Sequence, residues 1–217
     1  MYDAVLFDMD GVLLTGRHTD PAVYERAAER VLDTRGISDP PADLVEAFIS
    51  PGTADAFRAA AERYELPADD VWAARERVAS ELEAERIAAG EREPFPDIGA
   101  LDALPSLGVV SNNRQQTVSF TVDHLSLDAA VAVGRDPTLA GFERLKPDPY
   151  YVLSALDTLA VESVLYVGDR YTDVAAAHAA GADAALLDRP GLDAGEALAQ
   201  PEHVVDSLDA VPELEPA

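Results

Sequence analysis

Val5-Leu6-Phe7-Asp8-Met9-Asp10-Gly11-Val12 is the stretch from which the rest of the chain can be read. An apolar run that stops abruptly at two carboxylates one residue apart, then a glycine, reads as a buried parallel strand whose end opens into a polar pocket. Side chains at i and i+2 of a strand share a face, but past its end the chain curls. Asp8 and Asp10 can therefore approach one reacting atom from different sides. One can attack or hold a cation while the other carries a proton.

Outward from that strand the pattern turns helical. Leu13 to Asp20 is a polar turn. Asp20 suits an N-cap and Pro21 a first helical turn, and Val23, Ala27, Val31 and Leu32 form an apolar stripe that stops at Gly36. Asp43 to Ile49, Thr53 to Tyr64 and Asp69 to about Ala89 read as further amphipathic helices, divided by Pro51-Gly52 and Pro67. No strand is expected between 16 and 90. Gly90 to Asp97 breaks the helical run, after which short apolar strands return at Leu107–Val110, Ala130–Val133, Val164–Val167, Ala184–Leu187 and His203–Val205. Helical stretches separate most of them, the signature of an α/β fold with a doubly wound parallel sheet. The expectation is a core domain made of 1–15 and 91–217, carrying an inserted all-helical domain at 16–90. The acidic end, Pro212 to Ala217, is expected to fray.

The length suits a core domain with one insertion, large enough to bury a real core without staples. Cysteine is absent, which excludes disulfides, a thiolate nucleophile and thiolate metal sites and favours a cytoplasmic setting. There is no apolar run of membrane-spanning length and no signal-peptide pattern, so neither membrane nor export is expected. Charge is extreme: 16 basic less 41 acidic residues gives −25. Such a surface repels phosphate backbones, so nucleic acid is excluded as a partner. Acid spread this evenly suggests adaptation to a salt-rich cytoplasm of the halophilic kind. Of the 16 basic residues 15 are Arg, and the one Lys is Lys146. A chain that keeps a single ammonium has a use for it that guanidinium does not serve.

Three later stretches repeat the chemistry of the first. Gly108-Val109-Val110-Ser111-Asn112-Asn113 is a strand ending in small polar groups. Ser111, with the backbone N–H groups of Asn112 and Asn113 opening the next helix, offers a seat for a phosphoryl oxygen. Arg114, just beyond, is a candidate substrate contact. In Arg144-Leu145-Lys146-Pro147-Asp148-Pro149 the prolines restrain the loop and aim Lys146, while Asp148 can cap the helix beginning near Pro149. Val164 to Val167 leads into Gly168-Asp169-Arg170-Tyr171-Thr172-Asp173, where Asp169 and Asp173 can complete an oxygen shell for a hard cation such as Mg²⁺. All four stretches lie at strand C-termini or in an adjacent loop, where open α/β sheets bind ligands. Together they supply what phosphoryl transfer through an aspartyl-phosphate requires.

With these four motifs in order over nearly its full length, the chain resembles the haloacid dehalogenase (HAD) superfamily of hydrolases. The resemblance implies that Asp8 is the nucleophile and Asp10 the general acid and base. Ser111 would bind the transferring phosphoryl group and Lys146 would steady nucleophile and phosphate. Asp169 and Asp173 would hold Mg²⁺ alongside Asp8 and the backbone carbonyl of Asp10. The helical block resembles the family's type-1 cap, which closes over the site and selects the substrate. Val12 stands where many of the phosphatases have Thr, and Arg170 where a small residue is frequent; both leave the substrate open.

The function expected is Mg²⁺-dependent hydrolysis of a small phosphorylated metabolite. The alternatives are a β-phosphoglucomutase-like phosphotransferase on the same core and, with less weight, a binding protein that kept the fold. The dehalogenases of the superfamily resemble this core but lack the second carboxylate that Asp10 supplies. Trp72 reads as packing. Arg58 and Arg63 can meet an anionic substrate but suit a solvated helical face, and His18 lies in the turn after the first motif. Oligomeric state is not legible.

Overall fold

The computed structural model describes residues 1–216. The chain runs β1 (Ala4–Phe7), α1 (Pro21–Asp33), α2 (Ala42–Ile49), α3 (Ala54–Arg63), α4 (Ala68–Ala88), β2 (Leu107–Arg114), α5 (Gln115–His124), β3 (Ala129–Arg135), α6 (Leu139–Phe142), α7 (Tyr150–Leu159), β4 (Val164–Gly168), α8 (Tyr171–Ala180), β5 (Asp183–Leu187) and β6 (His203–Val205). Among the described residues, six strands form one parallel sheet in the order β3-β2-β1-β4-β5-β6. The architecture is the doubly wound α/β class.

β1 is buried along its whole length, and alternation sends its side chains to two different cores. Val5 and Phe7 pack with Val118 of α5 and with Leu101, Leu208 and Val211. Ala4 and Leu6 face Val152 and Ala155 of α7 and Val174 and Ala177 of α8. Burying each large apolar side chain contributes roughly 1.5–3 kcal/mol, which makes this short strand the anchor of the sheet. Strand order departs from β1 in both directions, β2 and β3 on one side and β4 to β6 on the other. The crevice beyond the C-terminal ends of β1 and β4 is thus the topological switch point.

Helices α1 to α4 surround a separate apolar cluster that includes Phe48, Phe57 and Trp72. Trp72 is fully buried, its ring 4.9 Å from that of Phe57 and 5.1 Å from that of Phe142 on α6. The helix starts follow local chemistry. Asp20 accepts from Ala22 N at 3.0 Å and Thr53 from Ala56 N at 3.1 Å, so each carboxylate or hydroxyl satisfies an otherwise free first-turn N–H. The two connections between the helices and the sheet are clasped to each other: Thr15 N donates to Glu93 O at 2.8 Å and Phe95 N to Leu13 O at 3.0 Å.

Two expectations needed revision. β2 does not end at Val110 but is hydrogen-bonded through Arg114, with a register break between Val110 and Arg114. Nor does the chain fray from Pro212: Leu208–Glu213 forms a 3-10 turn that buries Leu208 and Val211 against the sheet's core. Ala217 lies outside the described residues. No helix among those described is long and apolar enough to cross a membrane.

Candidate active site

Four loops meet at the switch point around a cavity of about 310 Å³. Asp8 enters it directly from β1, held in line by its own N–H donating to Val167 O at 2.9 Å. Asp169 and Asp173 arrive from the end of β4 and the first turn of α8, where Asp173 Oδ2 accepts from Arg170 N at 3.1 Å. Two glycines make room for these carboxylates. A Cβ at Gly168 would overlap the Asp173 carboxylate, and one at Gly11, whose φ is +81°, would overlap that of Asp169.

Lys146 lies buried between two of the acids, its Nζ 2.6 Å from Asp173 Oδ1 and 3.1 Å from Asp8 Oδ1. It also donates to the Tyr166 hydroxyl at 2.7 Å, and that hydroxyl donates to Val110 O at 2.6 Å. Burial disfavours the ammonium, but Asp173 and Asp8 more than offset this and hold Lys146 well above lysine's ordinary value. Asp8 is also shifted upward, which for a carboxyl favours the neutral form. Burial raises its carboxyl to about 7; Lys146 pulls it down, while Asp173, Asp10 and Asp169 add repulsion. Burial, together with Asp173, raises Asp169 to about 6 despite the Arg17 guanidinium, whose Nε donates to Asp169 Oδ2 at 3.0 Å.

Oxygen atoms of Asp8, Asp169 and Asp173 lie within 4.8 Å of one another. Three buried carboxylates with two cations, Lys146 and Arg17, leave one negative charge uncompensated. An all-oxygen set with an excess of negative charge fits a hard divalent cation such as Mg²⁺.

Asp10 stands beside this group with both oxygens occupied. Oδ1 accepts from Arg92 Nη2 at 2.7 Å and Oδ2 from Asn113 Nδ2 at 2.9 Å. Ser111 is buried on the cavity wall, where its Oγ accepts from Asn113 N at 3.2 Å.

The expected helix start at Asn112 and Asn113 is corrected, because both residues still belong to β2 and α5 begins only at Gln115, but both line the cavity. Their side chains act as scaffolding. Asn112 Oδ1 accepts from Lys146 N at 2.8 Å and its Nδ2 donates to Lys146 O at 3.4 Å, fixing the lysine's main chain, while Asn113 fixes Asp10. Arg114 is also corrected: it does not line the cavity. It is buried, donating to Ser80, Thr117, Tyr24 and Thr19 between sheet and helices. Asp148, as expected, accepts from Tyr150 N at 2.9 Å at the start of α7.

The sequence did not mark Arg17, Tyr24, Arg92, Arg135 or Tyr166 as site residues. Tyr166 left one usable signal, a hydroxyl in an otherwise wholly apolar strand facing the one lysine. Arg17 and Arg92 come from linkers, Tyr24 from α1 and Arg135 from the last position of β3, and no local pattern gives their orientation.

A doubly wound α/β sheet with a carboxylate–lysine pocket at its switch point defines the class of protein. More narrowly, the chain belongs to the haloacid dehalogenase-like hydrolase family, whose model matches residues 2–181. None of the curated proteins matches it. Similar solved structures include CbbY from Rhodobacter sphaeroides in complex with phosphate, at 21% identity and TM-score 0.63, covering 97% of this chain and 96% of that one. A protein assigned as a phosphoglycolate phosphatase from Lactobacillus plantarum shares 23% identity at TM-score 0.59, covering 98% of each chain. A 2-haloacid dehalogenase from Pseudomonas syringae shares 24% at TM-score 0.60, covering 98% of this chain and 97% of the other.

Proposed function

We propose that the protein hydrolyses a small phosphate monoester through an aspartyl-phosphate on Asp8, with Mg²⁺ held by Asp8, Asp169 and Asp173. The observation that carries this reading is Lys146 wedged between Asp8 and Asp173, with Asp10 held separately at the same cavity. Mg²⁺, when bound, neutralises charge on the nucleophile and on the phosphoryl oxygens.

The chain's own groups then divide the work. Lys146 offsets the repulsion that a phosphate dianion meets on approaching Asp8. Ser111 donates its hydroxyl hydrogen to a phosphoryl oxygen. Asp8 forms a bond to phosphorus as the ester oxygen departs, and Asp10 delivers a proton to that oxygen. Asp10 then takes a proton from water, whose oxygen attacks the phosphorus of the aspartyl-phosphate. Free phosphate leaves and the Asp8 carboxylate is restored. Asp10 is what favours attack at phosphorus over dehalogenation, since a halide leaving group needs no proton. The helices of 16–90 act as a cap that excludes water and reads the leaving group. We further propose a cytoplasmic, salt-adapted setting, supported by the acidic composition.

The test is inorganic phosphate release from a panel of small phosphate esters in high salt, with Mg²⁺ and then with excess chelator. Mg²⁺-dependent release supports the reading. Phosphate returned to a second sugar position instead of to water would assign a mutase.

A further inference from the structure

Part of the cavity lining carries the charge opposite to that of the triad. Tyr24 of α1 and Arg135 at the end of β3 both belong to this wall. Arg75 of α4 lies behind them, its guanidinium carbon 4.1 Å from the centroid of the Tyr24 ring. Arg135 Nη1 stands 2.5 Å from Glu76 Oε2, and Arg75 pairs with the other oxygen of that glutamate. Arg114 donates only to hydroxyls, including Tyr24 at 2.8 Å, and no carboxylate among the described residues pairs with it. Arg75, Arg114 and Arg135 are all 5% exposed or less and share one carboxylate, Glu76, so the wall carries 3 − 1 = +2.

A buried cationic excess is the reverse of what a chain of net charge −25 supplies by composition. Buried charge without a counter-ion costs free energy, and an anionic ligand removes that cost. The field at the wall is already visible on Tyr24. Burial alone would raise its phenol, yet Arg114, Arg135 and Arg75 outweigh burial and lower it. Because the Tyr24 oxygen accepts from Arg114, and its hydrogen meets no acceptor among the described residues, the O–H is free to donate into the cavity.

We propose that this wall seats a second anionic group, a carboxylate or a further phosphate, carried on the leaving-group side of the substrate. Tyr24 donates a hydrogen bond to it, Arg135 faces it, and Arg75 and Arg114 act through Tyr24. The inference rests on the phosphatase reading, which puts the phosphoryl group at the triad. It narrows the substrate to a small monoester whose alcohol portion is itself an anion.

The experiment compares kcat/KM for phosphate release from size-matched phosphorylated carboxylic acids, bisphosphates and esters of neutral alcohols, at one fixed high salt concentration. A preference of about tenfold or more for either anionic class is expected, the gain of one charge-assisted hydrogen bond. Which anionic class leads assigns carboxylate or phosphate. Tyr24→Phe, which keeps the ring stacked under Arg75, should lower the ratio of anionic to neutral kcat/KM, mainly through KM. Arg135→Gln should lower it further, and Arg135→Lys should recover part of it. Equal kcat/KM for anionic and neutral esters, or a ratio untouched by Tyr24→Phe, overturns the proposal and leaves the phosphatase reading standing. No release from any class overturns both.

Discussion

Arg92 Nη2 stands 2.7 Å from Asp10 Oδ1, while Nη1 of the same guanidinium stands 2.8 Å from Glu83 Oε1 on α4. Its Nε and Nη2 also donate to Thr15 O at 2.9 Å and Gly16 O at 3.0 Å. One buried side chain, in the returning linker, thus ties α4 and the outgoing linker to Asp10. Truncation to Arg92→Met leaves Glu83 buried with only the longer 3.8 Å contact to Arg86. It should lower stability by about 3 kcal/mol, as measured by urea unfolding. It should also cut kcat while moving KM little, because Asp10 loses its aim. Arg92→Lys should recover part of both.

Gly11→Ala places a Cβ against the Asp169 carboxylate on a backbone whose φ is +81°. The backbone term costs about 1–2 kcal/mol. Displacing Asp169 should weaken Mg²⁺ binding by about tenfold or more, read by calorimetric titration. Wild-type Mg²⁺ affinity in this variant would argue against Asp169 as a ligand.

How far could the sequence be read? The doubly wound sheet was legible because each strand is a short apolar run ending in polar residues; Asp8, Asp10, Asp169 and Asp173 followed from those ends, and Lys146 from being the one lysine, in a proline-restrained loop. The structure brings these five to one cavity. The helix expected to open at Asn112 starts later because β2 runs on past Val110 after a register break, so Asn112, Asn113 and Arg114 are strand residues and only Arg114 lies off the cavity. Arg92 sits in a segment that local pattern marks only as a break. Its partners, Glu83, Asp10 and Thr15, are brought together by the clasped linkers, a long-range pairing that no spacing encodes.

The raised carboxyls of Asp8, at about 7, and Asp169, at about 6, set a pH dependence. Between the ordinary carboxylate value and these raised ones, the metal-free folded chain binds more protons than the unfolded chain. Its stability contribution from these two groups is therefore present at low pH and lost as pH rises from about 4 to 7. Metal requires the deprotonated forms, so apparent Mg²⁺ affinity should climb over the pH 5 to 8 range with proton release. Titrations in buffers of different ionisation enthalpy measure that release.

The net charge of −25 makes folding sensitive to ionic strength. Raising salt from about 0.1 M to 1 M shortens the screening length from about 10 Å to 3 Å and should raise Tm. A melting temperature that stays flat across that range would speak against salt adaptation.

The central claim is that Asp8 attacks phosphorus and water then attacks the same atom. A single turnover of the best ester in oxygen-18 water, with wild-type protein and with Asp8→Asn, tests it directly. The account predicts label in the released phosphate, none in the Asp8 carboxylate, and no turnover by Asp8→Asn. Label incorporated into Asp8, which marks attack on carbon and hydrolysis at the aspartyl carbonyl, or undiminished release by Asp8→Asn, would contradict it.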